Sequence, residues 1–349
     1  MNRYLTIATD TNVLNLVALA ALADAGDEVL LLADARMRKQ GSAERLERGL
    51  AARGLIVKCH ELTQWSLDPM TKAAQAAFAD WGSGSPTSLE FMAIGGRKHD
   101  ALVLHELLRQ QASACGARLG AVSVDRRPLM LRRSTQMTNG QLQYKAVALS
   151  ALDRDRRVGL DEVLALHGYP RAGGTYVPPG GRMPQVSQPD SGQKFELAVL
   201  ELVHTFLTSA TAPYLNELWW GVKVSTPSGR DTATEFDVLL LACDGSVVHF
   251  ECKTDPKRST EMQHKAFQMR QIFTPESRFV ICHAVHSGMA AEAMDELSDK
   301  LLKRYENVGA FDLVLFNQRR RPNLALSERL PAPAAAIRQV LETAWITPA

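Results

Sequence analysis

The first half of the sequence alternates short apolar segments with segments of helical periodicity, and this alternation restricts the fold more than any other feature. The predicted strands are residues 4–8, 28–33, 56–60, 89–94 and 120–124. The predicted helices between them are residues 13–25, 43–53, 70–80 and 98–111. Strands that alternate with helices in this way favour a parallel, doubly wound α/β sheet.

Two loops of this predicted sheet are candidates for ligand binding, because ligands of doubly wound sheets bind beyond the carboxyl ends of the strands. The predicted contacts are Thr9, Asp10 and Asn12 in the first loop and Gly95, Gly96, Arg97 and Lys98 in the second. In the second loop the paired glycines allow backbone N–H groups to approach an anion at a helix N-terminus, where the two basic side chains add charge. A glycine-assisted turn with surface charges is the alternative interpretation.

Several classes of protein have little support in the sequence. The first half contains neither GxGxxG nor GxxxxGK[ST], which argues against a nicotinamide dehydrogenase and a P-loop ATPase. Five scattered cysteines without a CxxC pair argue against a zinc site or a disulfide framework. No apolar run reaches the roughly 18 residues that span a bilayer, and the first residues lack the shape of a signal peptide. We therefore expect a cytoplasmic protein without a membrane partner.

A change of composition divides the chain. Residues 129–148 predict short strands, residues 160–167 a short helix, and residues 170–192 a linker rich in Pro and Gly. We predict a first domain over residues 1–135, a connecting segment over 136–191 and a second domain over 192–349. In the second domain the pattern predicts helices at 193–207, 260–272 and 290–305 and strands at 218–224, 235–242, 247–253, 279–283 and 311–316. This order is typical of a mixed α/β domain.

A predicted hairpin in the second domain carries two carboxylates and a lysine. Glu251 and Lys253 lie two residues apart on one strand and therefore share a face. The direction of Asp237 depends on the turn. A two-residue Asp-Gly loop pairs Asp237 with Cys252, on the wrong face, whereas a three-residue loop with Gly245 in the left-handed conformation pairs Asp237 with Glu251. A metal site requires the second register.

Two carboxylates on adjacent strands suit a hard divalent cation such as Mg²⁺ or Mn²⁺. Such a cation polarises a phosphate and lowers the pKa of a bound water. Lys253 is a candidate for orienting that water, and Glu196, on the preceding helix, for completing the shell. Taken alone, Glu-x-Lys favours a surface salt bridge. The pattern becomes more specific with the preceding acidic strand and the glutamate-bearing helix.

These residues resemble the core of the PD-(D/E)xK, or restriction-endonuclease-like, nucleases, in which a helix bearing Glu precedes a strand bearing Asp and a strand bearing (D/E)xK. The matching residues are Glu196, Asp237, Glu251 and Lys253. The segments GQKFE, EFD and ECK are similar to the nuclease half of the CARF-domain ancillary nucleases of type III CRISPR systems. The segment FMAIGGRK, residues 91–98, is similar to that family's strand followed by Thr-Gly-Gly-Thr-Lys.

The resemblance implies a Rossmann-like CARF domain that senses cyclic oligoadenylate across a homodimer and activates metal-dependent cleavage of DNA, RNA or both. The metal ligands that we expect are Asp237, Glu251 and the backbone carbonyl of Cys252, and cyclic tetra-adenylate is the ring that we expect. Two alternatives stay open. One is a constitutive nuclease of restriction or repair type, and the other is a non-catalytic nucleotide-sensing regulatory protein.

Overall fold

A computed structural model describes most of the chain, which divides into two compact units. The described residues are 1–10, 12–62, 67–79, 81, 86–94, 98–126, 129–137, 139–208, 214–228, 232–255, 259–273, 276–285, 289–317 and 331–345. The first unit comprises Met1–Val158, Ala165–His167 and Cys243–Gly245, and the second comprises Gly159–Leu164, Gly168–Ala242 and Ser246–Ala349. One sheet belongs to each unit.

The first unit is the doubly wound α/β sheet that the alternation predicts. Its strands are β1 (Asn2–Ile7), β2 (Glu28–Asp34), β3 (Ile56–Leu62), β4 (Ser88–Met92), β5 (Arg118–Arg126), β6 (Leu129–Gln136) and β7 (Leu142–Ala148). Its helices are α1 (Val13–Leu22), α2 (Ala35–Lys39), α3 (Ser42–Ala52), α4 (Leu67–Ala79) and α5 (Lys98–Cys115). The strand order is β3-β2-β1-β4-β5-β6-β7, with β1 to β5 parallel and β6 and β7 antiparallel.

The order of the parallel strands reverses between β1 and β4, which are adjacent and paired. One face of the sheet packs against α4 and α5 in a core that includes Leu5, Phe91 and Leu104. On the other face Tyr4 and Asn15 join β1 to α1, because the Tyr4 hydroxyl donates to the Leu22 carbonyl and the Asn15 amide donates to the carbonyl of β1 residue Ile7. In doubly wound sheets, ligands bind at the carboxyl ends of the strands beside such a reversal.

The second unit is a mixed sheet with the order β13-β12-β11-β10-β9-β8. Its strands are β8 (Arg171–Val177), β9 (Leu215–Ser225), β10 (Thr232–Ala242), β11 (Val247–Lys253), β12 (Arg278–Val285) and β13 (Asp312–Asn317). The remaining helices are α6 (Leu160–His167), α7 (Ser191–Leu207), α8 (Ser259–Ile272), α9 (Ala291–Arg304) and α10 (Pro331–Trp345). Strands β8 to β11 are antiparallel, and β11 to β13 are parallel. Within the described residues, every helix lacks the length or the apolar character that a membrane span requires.

Part of the predicted linker is a strand. Residues 171–177 form β8, which pairs with β9 through two register shifts beside Gly173. Gly174 has a φ of +120°, and a Cβ at this position would lie 3.0 Å from the Val222 backbone. The glycines therefore mark a bulge with a close approach of two backbones rather than a linker. Strands β7 and β8 both lie in the predicted connecting segment 136–191, which thus adds a strand to each sheet.

A buried ion pair crosses the middle of the first sheet. Glu90 on β4 is fully buried, and its carboxylate accepts hydrogen bonds from the Arg133 guanidinium on β6. Gly120 of β5 lies between the two strands, opposite Glu90. A Cβ at position 120 would overlap the Glu90 carboxylate. The absence of a side chain at this position is therefore what lets Arg133 reach Glu90 across the sheet.

We predict that Gly120→Ala lowers the free energy of unfolding by about 3 kcal/mol, because the methyl group displaces a buried, paired carboxylate. Gly49→Ala in α3 is the matched control, since a Cβ there would lie 3.8 Å from its nearest neighbour, a side-chain carbon of Leu166, which is ordinary contact. The control should be neutral or stabilise the helix by up to about 1 kcal/mol. Urea unfolding of both variants measures the difference. Equal stability of the two variants would contradict the clash.

Candidate functional site

Strands β10 and β11 form the hairpin on which the predicted site lies. The paired residues run from Val238 opposite Phe250 to Leu241 opposite Val247. The Ala242 N–H then donates to the Ser246 carbonyl at 2.9 Å. The loop between the strands therefore has three residues, 243–245, as a metal site requires.

The next pair along this register brings the two carboxylates together. Gly245 has a φ of +78°, which is the left-handed conformation expected for the three-residue loop. One step beyond Val238 and Phe250, Asp237 lies opposite Glu251. The Cys252 N–H donates to Asp237 Oδ2 at 2.7 Å, so the aspartate side chain binds the neighbouring strand at this step. The predicted register of Asp237 and Glu251 is confirmed.

Glu251 is a fully buried carboxylate surrounded by nitrogen atoms. The Lys253 ammonium contacts Oε1, whereas His249 Nε2 lies 3.2 Å and Lys265 Nζ 3.9 Å from Oε2. All three groups are close enough for electrostatic attraction. Both oxygens of this buried anion therefore face positively charged or polar nitrogen atoms.

The pKa values of the two carboxyl groups are shifted in opposite directions. Burial and the neighbouring Glu251 raise the pKa of Asp237 to about 8. Burial alone would raise the pKa of Glu251, but His249, Lys265 and Lys253 outweigh burial and lower the pKa. Burial lowers the pKa of His249, which keeps its imidazole neutral. Glu251 is therefore ionised at neutral pH.

Glu196 approaches the site from α7. The helix begins with a capping box, in which Asp190 accepts a hydrogen bond from the Gln193 N–H and the Gln193 side chain accepts one from the Asp190 N–H. Glu196 is half-buried, and Trp220 Nε1–H donates to its Oε2 at 2.9 Å. Burial raises the pKa of Glu196. Of the tryptophan pair, Trp220 thus orients Glu196, whereas Trp219 is buried against Tyr176.

The residues of this site fit Mg²⁺, because they offer carboxylate oxygens, which are the ligands that Mg²⁺ prefers. No three His, Cys, Asp or Glu side chains converge on one point in the described part of the chain. A convergent trio is not needed, since Mg²⁺ is usually held by one or two carboxylates with waters and substrate phosphates as the other ligands. Asp237 and Glu251 supply two such carboxylates, on adjacent strands. The carbonyl of Cys252 stays a prediction, because the observed contact uses its N–H.

The first predicted ligand loop follows β1. Asn12 is buried, accepts a hydrogen bond from the Thr9 N–H and donates to Ser42. Its amide is thus used to shape the loop rather than exposed to a ligand. Asp10 is exposed and pairs with Arg36 at 2.8 Å.

In the second loop, Gly95, Gly96 and Arg97 lie outside the described residues. Lys98 begins α5, and its side chain lies outside them as well. The proposed role of these four residues in ligand binding stays a prediction.

Two residues beside Glu251, His249 and Lys265, are absent from the predicted site. Strand alternation was the available signal for His249, since it lies two residues before Glu251 and shares its face. Five basic residues follow the hairpin in the sequence, and periodicity does not distinguish among them. In the structure His264 is exposed and the Arg270 guanidinium donates to the Val308 and Ala310 carbonyls, so neither contacts Glu251. Residues 257 and 258 lie outside the described residues.

No protein-family model matches the chain, and no curated protein matches it in sequence. Its fold is similar to the crystal structure of protein VC1899 from Vibrio cholerae, with a TM-score of 0.67, 13% identity and 99% of both chains covered. It is also similar to Can2 from Sulfobacillus thermosulfidooxidans in complex with cyclic tetra-adenylate. That comparison gives a TM-score of 0.61 and 11% identity and covers 98% of this chain and 99% of Can2. These likenesses establish the fold over the whole chain.

The site geometry generates a test of cation binding. We expect the protein to bind Mg²⁺ or Mn²⁺, and Asp237→Asn and Glu251→Gln each to weaken binding at least about tenfold, or about 1.4 kcal/mol. Asp312→Asn is the matched control, because Asp312 is half-buried beside Arg278 at the start of β13. Isothermal titration calorimetry on metal-stripped protein measures the affinities. Equal affinities for all four proteins would contradict the assignment.

Proposed function

We propose that this protein is a metal-dependent endonuclease that cyclic oligoadenylate activates, cleaving DNA, RNA or both in type III CRISPR antiviral defence. The observation that carries the proposal is the pairing of Asp237 with Glu251, with the Lys253 ammonium on the same carboxylate. The approach of Glu196 on its capped helix supports the same conclusion. A surface salt bridge between Glu251 and Lys253 does not account for a carboxylate that is fully buried.

Each residue of the site has a role in this proposal. Asp237 and Glu251 would hold Mg²⁺ or Mn²⁺, with Cys252 offering its carbonyl. When bound, such a cation polarises the scissile phosphate and lowers the pKa of the attacking water. The Lys253 side chain is mostly buried, at 14% exposed, and its ammonium would bind the phosphate or orient the water. Glu196, held by Trp220, would orient a water of the shell.

The first unit supplies the proposed sensor. The strand order reverses between β1 and β4, and crevices at such reversals bind ligands with phosphate groups near helix N-termini. Can2 is bound to cyclic tetra-adenylate in a fold that matches 98% of this chain, which supports a cyclic oligoadenylate as the activator. A two-fold symmetric ring fits a two-fold interface, so we propose a homodimer. The ring would then favour the dimer conformation whose site admits substrate.

We predict that cleavage needs both the activator and the hairpin residues. Plasmid DNA and single-stranded RNA are incubated with Mn²⁺ or Mg²⁺ and a panel of cyclic oligoadenylates. The wild type should cleave in the presence of one ring, and Glu251→Ala and Lys253→Ala should each lower the rate at least about 100-fold. Both variants should still bind the ring. Lys300→Ala is the control, because Lys300 is exposed on α9 and pairs only with Glu296 among the described residues.

Each outcome of the cleavage assay decides a different question. Wild-type rates in Glu251→Ala and Lys253→Ala would disprove the assignment of the site. Cleavage that is independent of every ring would favour the constitutive nuclease. Ring binding without cleavage under any metal would favour the regulatory protein.

We predict separately that Lys98→Ala weakens binding of cyclic tetra-adenylate by about 1 to 2 kcal/mol, because a charge-assisted contact to phosphate is lost. Arg109→Ala on the same helix is the control, since Arg109 pairs with Glu106 at 2.7 Å and both are half-exposed. Fluorescence titration measures the two affinities. Equal affinities would remove Lys98 from the ring site without bearing on the nuclease site.

A further inference from the structure

Lys265 on α8 contacts the candidate site but has no part in the proposed machinery. Its ammonium donates to the Glu235 carbonyl at 2.6 Å and lies 3.9 Å from Glu251 Oε2. The side chain is 21% exposed, so the ammonium borders the solvent. Lys265 therefore lies between the backbone of β10, the buried carboxylate of β11 and the solvent.

The fold holds this lysine in place before any substrate arrives. Met262, Ala266 and Met269 form the buried face of α8. Lys265 precedes Ala266 and emerges at the margin of that face. Of its three N–H donors, the bond to the Glu235 carbonyl uses one. A positive charge with further donors is thus preorganised beside the carboxylates, which is the arrangement that stabilises developing charge most effectively.

The charges of the site indicate that Lys265 supplies a positive charge for a phosphate group. Glu196, Asp237 and Glu251 are three carboxylates, and Lys253 and a divalent cation together would balance them when all are ionised. Lys265 adds one net positive charge. A phosphodiester carries one negative charge and gains another as water attacks, so a site without surplus positive charge would not favour it. His249 does not fill this role, because it is fully buried.

We infer that Lys265 is a second catalytic lysine, whose ammonium binds a non-bridging phosphate oxygen of the nucleic-acid substrate. The inference rests on the proposed nuclease function and deepens it. The competing interpretation is structural. In that case the hydrogen bond to Glu235 only fastens α8 to β10, and the distance to Glu251 has no bearing on the substrate.

Two substitutions separate charge from packing. Lys265→Met keeps the length of the apolar stem and removes the charge, whereas Lys265→Arg keeps the charge. Lys300→Met on α9 is the control, because Lys300 is 74% exposed and pairs with Glu296. Each variant is assayed as the full chain with cyclic tetra-adenylate and Mg²⁺ on the substrate that the wild type cleaves. Substrate binding is measured by fluorescence anisotropy in EDTA over a series of salt concentrations, and the melting temperature is recorded for each variant.

The expected result is a loss of about 100-fold in kcat/KM for Lys265→Met with partial recovery in Lys265→Arg. The slope of log affinity against log salt should fall by about one for Lys265→Met, since one phosphate contact is lost. Lys265→Arg should keep the melting temperature of the wild type, so the activity that it recovers is assigned to charge rather than to packing. Lys300→Met should match the wild type in every measurement.

Three outcomes would overturn the inference. The first is wild-type cleavage and an unchanged salt slope in Lys265→Met. The second is a lower melting temperature in both Lys265 variants together with equal loss of activity, which would assign Lys265 a structural role. The third is that the wild type does not cleave and that the slope of log affinity against log salt is the same in Lys265→Met and the wild type. Failure of the nuclease proposal itself is distinguished by wild-type cleavage in Glu251→Ala and Lys253→Ala.

Discussion

The register of the β10–β11 hairpin is the constraint on which the candidate site depends. Side chains alternate along a strand, so a slip of one residue would turn Asp237 to the face opposite Glu251. Gly245 prevents that slip, because its φ of +78° closes a three-residue loop that other residues form with strain. The Cys252 N–H then binds the Asp237 carboxyl group. The conformation of this loop thus decides whether the two carboxyl groups lie on one face of the sheet.

Glu251 shows how such a carboxylate persists inside a sheet. Burying an ion is unfavourable unless it is paired and hydrogen-bonded. Lys253, His249 and Lys265 surround the Glu251 carboxylate and supply that attraction. They keep Glu251 ionised inside the sheet, because together they lower its pKa against the effect of burial.

Sequence periodicity was sufficient to locate most strands and helices, because apolar spacing reports local structure directly. It failed at β8, where glycines that serve a bulge look like a linker. Periodicity also does not report that Asn12, a predicted ligand contact, binds Ser42, which lies thirty residues away. The position of His249 on the face of Glu251 was predictable from alternation. Its burial against Phe236 and Phe279 depends on tertiary packing, which the sequence does not state.

Fold and function rest on different evidence in this protein. The likeness to VC1899 and Can2 spans nearly the whole chain at 13% and 11% identity, so the fold is retained while most side chains differ. Apolar patterning is enough to specify the strands and helices, whereas chemistry needs particular groups at particular distances. The nuclease proposal therefore depends on Asp237, Glu251 and Lys253. If those three residues were replaced by neutral residues of similar size, the fold comparison would be unchanged and the proposed activity would be lost.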